Sequence, residues 1–213
     1  MRRLAALAGH GPALELGVGT GRIALPLHRR GVDVHGVELS SDMVDRLRTE
    51  PSGDQIGVTL GDFATVALPE RFTLVYLLRN TITNLTTEAA QLDCFRTAAA
   101  HLTPGGHFVV ENYVPHVDRG APVATTVVFA STEDHLGVEE YDVERRIAVS
   151  HHCWLTADGV RRLSSPHRYV WPDELDAMAS AAGLALVARW GGWDDEPFTD
   201  ASAEHVSVWQ KAA

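Results

Sequence analysis

The chain has little cysteine, no long apolar run and no concentration of basic residues. Its two cysteines, Cys94 and Cys153, stand far apart and form no C-x-x-C pair, which argues against a disulfide framework or a zinc site. No stretch approaches the roughly eighteen apolar residues of a membrane helix. The apolar part of residues 1–8 is too short for a signal peptide. These absences predict a cytoplasmic protein.

Negative charge is in excess, with 28 acidic against 18 basic residues and a formal net charge of -10. Such a surface repels phosphate backbones, so neither nucleic acid nor a membrane is expected as a partner. The chain also has no H-E-x-x-H motif and no compact carboxylate cluster, and no metal site is expected. A length of 213 residues suits one domain with a large core.

The stretch A-L-E-L-G-V-G-T-G at residues 13–21 organises the rest of the chain. Its apolar beginning predicts a buried parallel strand, and the spacing that follows predicts a helix over Thr20–Arg30. A strand that turns through glycines into a helix brings backbone amides against a ligand, either a dinucleotide or S-adenosylmethionine. The dinucleotide fingerprint G-x-G-x-x-G fails, because its third glycine is replaced by Arg22.

A second strand, Val32–Val37, ends at Glu38, about 20 residues after the glycines. A carboxylate there can accept both hydroxyls of a ribose, or it is a surface charge. Ser40 or Ser41 caps the next helix. In the first turn of that helix Met43 either lies over a purine ring or fills the core.

The third strand, Ile56–Leu60, is followed by G-D-F at residues 61–63, where the aspartate either contacts a ligand or makes a turn. The fourth strand, Phe72–Leu78, is nearly all apolar and therefore central. Asn80 follows it, at the carboxyl end of the sheet where open α/β folds bind ligands, although asparagine is also a common turn residue there.

The remaining pattern predicts a helix, a sheet insertion and the end of the core. The helix Thr87–His101 is followed by the loop L-T-P-G-G at 102–106 and a fifth strand, His107–Glu111. The helix–strand alternation then stops, and alternating segments with an Asp158-Gly159 turn predict an antiparallel sheet. These segments are Val123–Ala130, Gly137–Val143, Arg145–Leu155 and Val160–Val170. The final elements are a helix from Pro172 to about Ala182 and strands at Leu184–Trp190 and His205–Trp209.

The ordered motifs E-L-G-V-G-T-G, Glu38, G-D-F and L-x-P-G-G resemble the class I S-adenosylmethionine-dependent methyltransferases, in particular the actinobacterial small-molecule, natural-product group. The resemblance implies an α/β, Rossmann-like fold: a seven-stranded, mostly parallel sheet with an antiparallel last strand and an antiparallel β insert after the fifth strand. We expect one domain over residues 1–213, with a cofactor-binding core at 1–111 and 172–213 and a substrate-side insert at 112–171. Relatives carry more chain before the first strand, so a lid comes from elsewhere or the start is truncated.

S-adenosylmethionine is the cofactor that the resemblance implies, with S-adenosylhomocysteine as product. In the family the glycine loop lies against the amino acid end of the cofactor, Glu15 orders that loop, Asp62 accepts from the adenine amino group, and the neighbour of this aspartate flanks the ring. The expected cofactor-binding residues are Glu15, Gly17, Gly19, Gly21, Glu38, Leu39, Met43, Gly61, Asp62, Phe63 and Asn80.

The expected reaction transfers a methyl group to O, N or C of a small molecule in secondary metabolism, by a metal-free in-line displacement. The protein mainly aligns the reactants, and a base is needed only if the nucleophile arrives protonated. His151 and His152 are candidates, since consecutive strand residues face opposite sides and one must face inward. Tyr113 and His116 are further candidates, and each of the four is otherwise structural.

Two other functions compete with this one. The chain could be a protein or cyclase that binds S-adenosylmethionine without methylating, or a nicotinamide dehydrogenase, which Arg22 and the G-D-F motif disfavour. The sequence leaves the acceptor and the oligomeric state open, with a homodimer among the alternatives.

Overall fold

Two β-sheets and their covering helices make up the protein in a computed structural model, which describes residues 1–115 and 125–213. The helices are α1 (Arg2–Ala8), α2 (Ala24–His28), α3 (Ser41–Thr49), α4 (Glu88–His101) and α5 (Pro172–Ala181), with short 3₁₀ helices at Gly53–Gln55 and Thr81–Asn84. The strands of the first sheet are β1 (Ala13–Leu16), β2 (Val34–Glu38), β3 (Gly57–Leu60), β4 (Phe72–Leu77), β5 (Leu102–Tyr113), β10 (Leu184–Trp190) and β11 (Glu204–Lys211). The second sheet contains β6 (Thr125–Ser131), β7 (His135–Asp142), β8 (Ile147–Thr156) and β9 (Gly159–Arg168).

The first sheet has seven strands in the order β10-β11-β5-β4-β1-β2-β3. The pairs from β5 to β3 are parallel, whereas β11 runs antiparallel to both of its neighbours. The expected seven-stranded sheet with an antiparallel last strand is thereby confirmed. Strand order reverses between β1 and β4, which is the switch point where ligands bind in such sheets.

Apolar side chains cover both faces of this sheet. Along β4, Val75 and Leu77 pack into the core under α4 and α5, while Leu74 and Tyr76 pack into the core under α1 and α2. This alternation explains why the sequence of a central parallel strand is continuously apolar. No helix within residues 1–115 and 125–213 is long and apolar enough to cross a membrane.

The second sheet is antiparallel throughout, in the order β6-β7-β8-β9, and follows the fifth strand as expected. Its last hairpin pairs Thr156 with Gly159, so Ala157 and Asp158 form the turn and the glycine closes it at a φ of 128°. Residues 123 and 124 of the first expected segment lie outside the described residues.

Two predicted elements begin more than two residues away from their observed starts. The helix expected over Thr20–Arg30 spans only Ala24–His28, because Gly21 has a left-handed φ of 80°, which cannot continue a right-handed helix. The expected loop at 102–106 lies within β5, since Leu102 already pairs with Phe72. The pairing register then shifts around Gly105, which has a φ of 75°.

Candidate active site

A cleft of about 550 Å³ opens at the carboxyl ends of β1 and β2, beside the turn that follows β4. It lies at the switch point of the sheet, where the ends of parallel strands leave a crevice. The described residues that line it are Gly17, Glu38, Leu39, Ser40, Phe63, Thr81 and Asn84.

The carboxylate of Glu38 connects the glycine loop to the end of β2. It accepts hydrogen bonds from the backbone N–H groups of Gly19 at 2.8 Å, Leu39 at 3.0 Å and Ser40 at 2.9 Å. A carboxylate has about four lone-pair sites, so a site remains for a hydroxyl donor in the cleft. Glu38 therefore has the position and the free capacity to bind a ribose.

The three glycines of the loop differ in the space that is available for a side chain. At Gly17, with a φ of 74°, a Cβ would stand 3.1 Å from the methyl carbon of Thr81. At Gly21 a Cβ would overlap Leu47 of α3. At Gly19, with a φ of 54°, a Cβ would have no atom of the described residues within 4 Å apart from its chain neighbours. The open space at Gly19 is a cradle that a ligand can occupy.

Glu15 lies behind the loop and not in the cleft. Its side chain is buried, its Oε2 accepts a hydrogen bond of 3.0 Å from the hydroxyl of Tyr76, and its carboxyl also accepts from the backbone of Ala24 at the start of α2. Burial raises the pKa of Glu15 to about 8. Its contacts are those of a residue that holds β4 and α2 around the loop.

The G-D-F segment lies beside Glu38, because the N–H of Gly61 donates to the backbone oxygen of Glu38 at 2.9 Å. Asp62 is exposed, and its Oδ1 accepts from the N–H of Ala64 at 2.8 Å, which closes a turn. Phe63 lines the cleft together with Leu39, whose side chain is 74% exposed. Two apolar side chains in one cleft are suited to a flat purine ring.

Seven of the eleven expected cofactor residues lie outside the lining set: Glu15, Gly19, Gly21, Met43, Gly61, Asp62 and Asn80. Asn80 has a φ of 61°, and its Oδ1 accepts a 2.9 Å hydrogen bond from the backbone N–H of Tyr113, so it joins the turn after β4 to the end of β5. Met43 is partly exposed in the first turn of α3, where its N–H donates to Ser40. Sequence reasoning did not assign a ligand to Thr81 or Asn84, although both follow the end of the central strand.

His151 and His152 lie on opposite faces of the second sheet. On one face, His151 contacts Ser164 at 2.8 Å and lies 3.5 Å from the carboxylate of Glu140. On the other face, the ring of His152 is within hydrogen-bond distance of His135 at 2.9 Å and stacks on Trp154 at 5.0 Å. His116 lies outside the described residues.

Tyr113 ends β5 and packs against Tyr141, Tyr169 and Trp171. Its hydroxyl is buried and has no hydrogen-bond partner in the described part of the chain. Burial raises the pKa of Tyr113, so the phenol stays neutral near pH 7 and is not suited to act as a phenolate base. Glu139 of β7 belongs to the same cluster. The sequence did not indicate it, because one glutamate in an alternating strand is typical of a solvent-facing position.

A switch-point cleft with a glycine cradle, a carboxylate at the end of β2 and two apolar flanking side chains defines a class of nucleoside-binding α/β proteins that includes S-adenosylmethionine enzymes. Comparison with known proteins identifies the family within this class. A family model described as a methyltransferase domain matches residues 13–106. The CcbJ methyltransferase from Streptomyces caelestis is 39% identical, with a TM-score of 0.88, and the match covers 98% of this chain and 86% of that one.

Two further relatives agree with this assignment. CalS10, an amino pentose methyltransferase from Micromonospora echinaspora involved in calicheamicin biosynthesis, has a TM-score of 0.73 at 24% identity, over 99% of this chain and 88% of that one. The cypemycin N-terminal methyltransferase of a Streptomyces species is 24% identical over 201 residues, 93% of this chain and 82% of the relative.

The chain belongs to the class I S-adenosylmethionine-dependent methyltransferases, in the actinobacterial natural-product group. It is an enzyme whose cofactor is S-adenosylmethionine and whose cofactor product is S-adenosylhomocysteine. The residues present fit this cofactor, since the open space at Gly19, the free acceptor capacity of Glu38 and the cleft between Leu39 and Phe63 match its amino acid, ribose and adenine parts.

Proposed function

We propose that this enzyme methylates O, N or C of a small-molecule acceptor in secondary metabolism, by a metal-free in-line displacement. Two structurally similar proteins support acceptors of this kind: CalS10 is an amino pentose methyltransferase, and MtfA is a glycopeptide N-methyltransferase. The observation that carries the proposal is the hydrogen bond between Asn80 and Tyr113, which joins the turn next to the cleft-lining Thr81 to the end of β5, where the insert begins.

On the cofactor side, the bound cofactor supplies a methyl group on a sulfonium. Glu38 accepts from a ribose hydroxyl, and the exposed carboxylate of Asp62 accepts from the adenine amino group. Leu39 and Phe63 flank the adenine, and the backbone at Gly17 and at the open space of Gly19 contacts the amino acid end. The physical support is the geometry of the cleft and the charge-assisted strength of hydrogen bonds to carboxylates.

On the acceptor side, residues 112–171 bind the acceptor, while residues 1–111 and 172–213 hold the cofactor. The chain contributes mainly alignment, which in well-oriented reactions is worth several kcal/mol of barrier. His152 lies on the same sheet face as Glu139, because Glu139 pairs with Ser150 and alternate strand residues share a face. The free thiols of Cys94 and Cys153 are consistent with action in a reducing compartment, the cytoplasm.

The experiment is a calorimetric titration of the purified protein with S-adenosylhomocysteine, comparing Glu38→Gln with Asp33→Asn. Both variants lose one negative charge next to β2, but Asp33 is exposed at the opposite end of the strand. Removing the charge from a carboxylate that accepts hydroxyl donors costs about 1.5–3 kcal/mol, so Kd should rise about 10- to 100-fold in Glu38→Gln. Asp33→Asn should bind like the wild type.

Wild-type protein that does not bind S-adenosylhomocysteine would contradict the proposal. An equal loss of affinity for S-adenosylhomocysteine in the two variants would show that only long-range charge affects binding and that Glu38 is not the ribose acceptor.

A further inference from the structure

A group of polar side chains surrounds Glu139 where the end of β5 meets the second sheet. Glu139 and Ser150 are paired across β7 and β8, and His167 of β9 lies on the same face, two positions beyond the partner of Ser150. We call these residues, together with the aromatic side chains that pack beside them, the Glu139 cluster. Its members are Tyr113, Glu139, Tyr141, Ser150, His167, Tyr169 and Trp171.

The carboxylate of Glu139 has unused acceptor capacity. Its Oε1 accepts from the hydroxyl of Ser150 at 2.9 Å, and its Oε2 accepts from the hydroxyl of Tyr141. These bonds use about half of the lone-pair sites of a carboxylate. No lysine or arginine of residues 1–115 and 125–213 forms an ion pair with it.

Three buried polar atoms of the cluster lack a hydrogen-bond partner in the described part of the chain. They are the hydroxyls of Tyr113 and Tyr169 and the Nδ1 of His167. Tyr169 is fully buried, and its ring centroid lies 5.5 Å from that of Tyr141. Buried polar groups in native proteins are almost always paired, so three unpaired groups in one cluster indicate a site that a ligand completes.

The chemistry of the cluster selects the ligand. Burial raises the pKa values of Tyr113 and Tyr141 and lowers the pKa of His167, so these groups are neutral near pH 7. Glu139 supplies the negative charge of the cluster, and the phenols supply neutral oxygen acceptors and aromatic surface. The two neighbouring cations have their own partners: Arg146, whose guanidinium lies 5.5 Å from the Trp171 ring, pairs with Glu174, and Arg168 pairs with Glu88. An ammonium group has three donors and no acceptor, and aromatic side chains favour cations, so a protonated amine matches this set.

We propose that the Glu139 cluster binds a protonated amine of the acceptor, which makes nitrogen the atom that is methylated. This inference rests on the proposed function and narrows its acceptor class. Tyr113 places the cluster beside the cofactor cleft, because its N–H is bonded to Asn80, next to the cleft-lining Thr81.

The ammonium first gives one proton to the carboxylate of Glu139, which passes it to solvent. The nitrogen lone pair then forms the N–C bond to the methyl group while the C–S bond breaks. The electron pair of the C–S bond stays on sulfur, which becomes a neutral thioether. The methylated ammonium finally loses a proton to solvent.

The test compares Glu139→Gln with Glu140→Gln. The two substitutions are chemically identical and adjacent, but Glu140 is exposed and faces His151 on the opposite side of the sheet. Benzylamine and its uncharged analogue benzyl alcohol are titrated into each protein saturated with S-adenosylhomocysteine, and binding is followed by ligand-observed NMR. Benzylamine should bind wild type and Glu140→Gln alike and bind Glu139→Gln about 10- to 100-fold more weakly. Benzyl alcohol should bind weakly to all three.

A second variant distinguishes loss of the amine site from loss of the fold. Tyr113→Phe removes an unpaired hydroxyl, so its melting temperature should equal that of the wild type while its benzylamine Kd rises several-fold. Equal benzylamine binding by wild type and Glu139→Gln, equal binding of amine and alcohol, or no benzylamine binding at all overturns the amine site. In those cases intact binding of S-adenosylhomocysteine preserves the methyltransferase proposal. Wild type that fails to bind S-adenosylhomocysteine overturns both.

Discussion

Replacing Glu15 by glutamine isolates the contribution of one buried carboxyl to the pH dependence of stability. The carboxyl is 5% exposed, and burial raises its pKa from 4.5 to about 8. Because the folded-state pKa is above the unfolded-state value, the unfolded chain loses this proton first as the pH rises. The stabilisation is therefore complete below about pH 4.5, and it is lost as the pH rises through about 8.

The magnitude follows from the two pKa values. Each tenfold change in acidity constant is worth about 1.4 kcal/mol, so the full loss is about 5 kcal/mol, of which about 3 kcal/mol falls between pH 6 and pH 9. For a chain of this size, the loss of about 3 kcal/mol between pH 6 and pH 9 corresponds to a fall of roughly 6–12 °C in melting temperature. A glutamine cannot ionise, and its carbonyl oxygen can still accept from Tyr76.

The assay is thermal unfolding, followed by circular dichroism between pH 5 and pH 9. The melting temperature of the wild type should fall relative to that of Glu15→Gln as the pH rises, so the variant is the more stable protein at pH 9. Glu144→Gln, which alters an exposed carboxyl, should follow the wild-type curve. Parallel curves for wild type and Glu15→Gln from pH 6 to pH 9 would refute the reasoning.

Two further substitutions separate ligand contact from packing. Leu39→Ala should leave the melting temperature unchanged, because Leu39 is 74% exposed. The same substitution should raise the calorimetric Kd for S-adenosylhomocysteine about 3- to 10-fold, because apolar contact with the ligand is lost. An unchanged Kd would show that Leu39 does not contact the ligand. Gly36→Ala places a Cβ 2.6 Å from the Cβ of Val18 and should cost about 1–3 kcal/mol in urea unfolding. Gly61→Ala meets only Val66, at 3.8 Å, and is the control; equal urea midpoints for both glycine variants would contradict the clash.

The fold was predictable because its signals are local. The apolar run of β4 indicates burial on both faces, and the alternation after residue 112 indicates antiparallel strands with one covered face. The resemblance to methyltransferases supplied the number of strands and the antiparallel direction of the last one, which local patterns alone do not contain. The cofactor was predicted for the same reason, and the family assignment confirms it.

The predicted helix after the glycine loop was wrong because its start depends on a distant contact. Gly21 adopts a positive φ, and a Cβ at this position would overlap Leu47 of α3, which lies 26 residues further along the chain. Apolar spacing over Thr20–Arg30 contains no information about that contact, so the pattern favoured a longer helix than Ala24–His28.

By itself, the sequence determined the fold class and the positions of Glu38, Leu39 and Phe63 after the ends of strands, because strand ends and glycine turns are local properties of the chain. Its resemblance to methyltransferases added the cofactor. Only the tertiary structure decided which side chains meet. It placed the carboxyl of Glu15 behind the loop against Tyr76, used Asn80 to hold Tyr113, and brought Glu139 to the unpaired hydroxyls of the insert. Glu15 and Tyr76 are 61 positions apart, and Asn80 and Tyr113 are 33 apart. Pairing over such distances arises from strand register and packing.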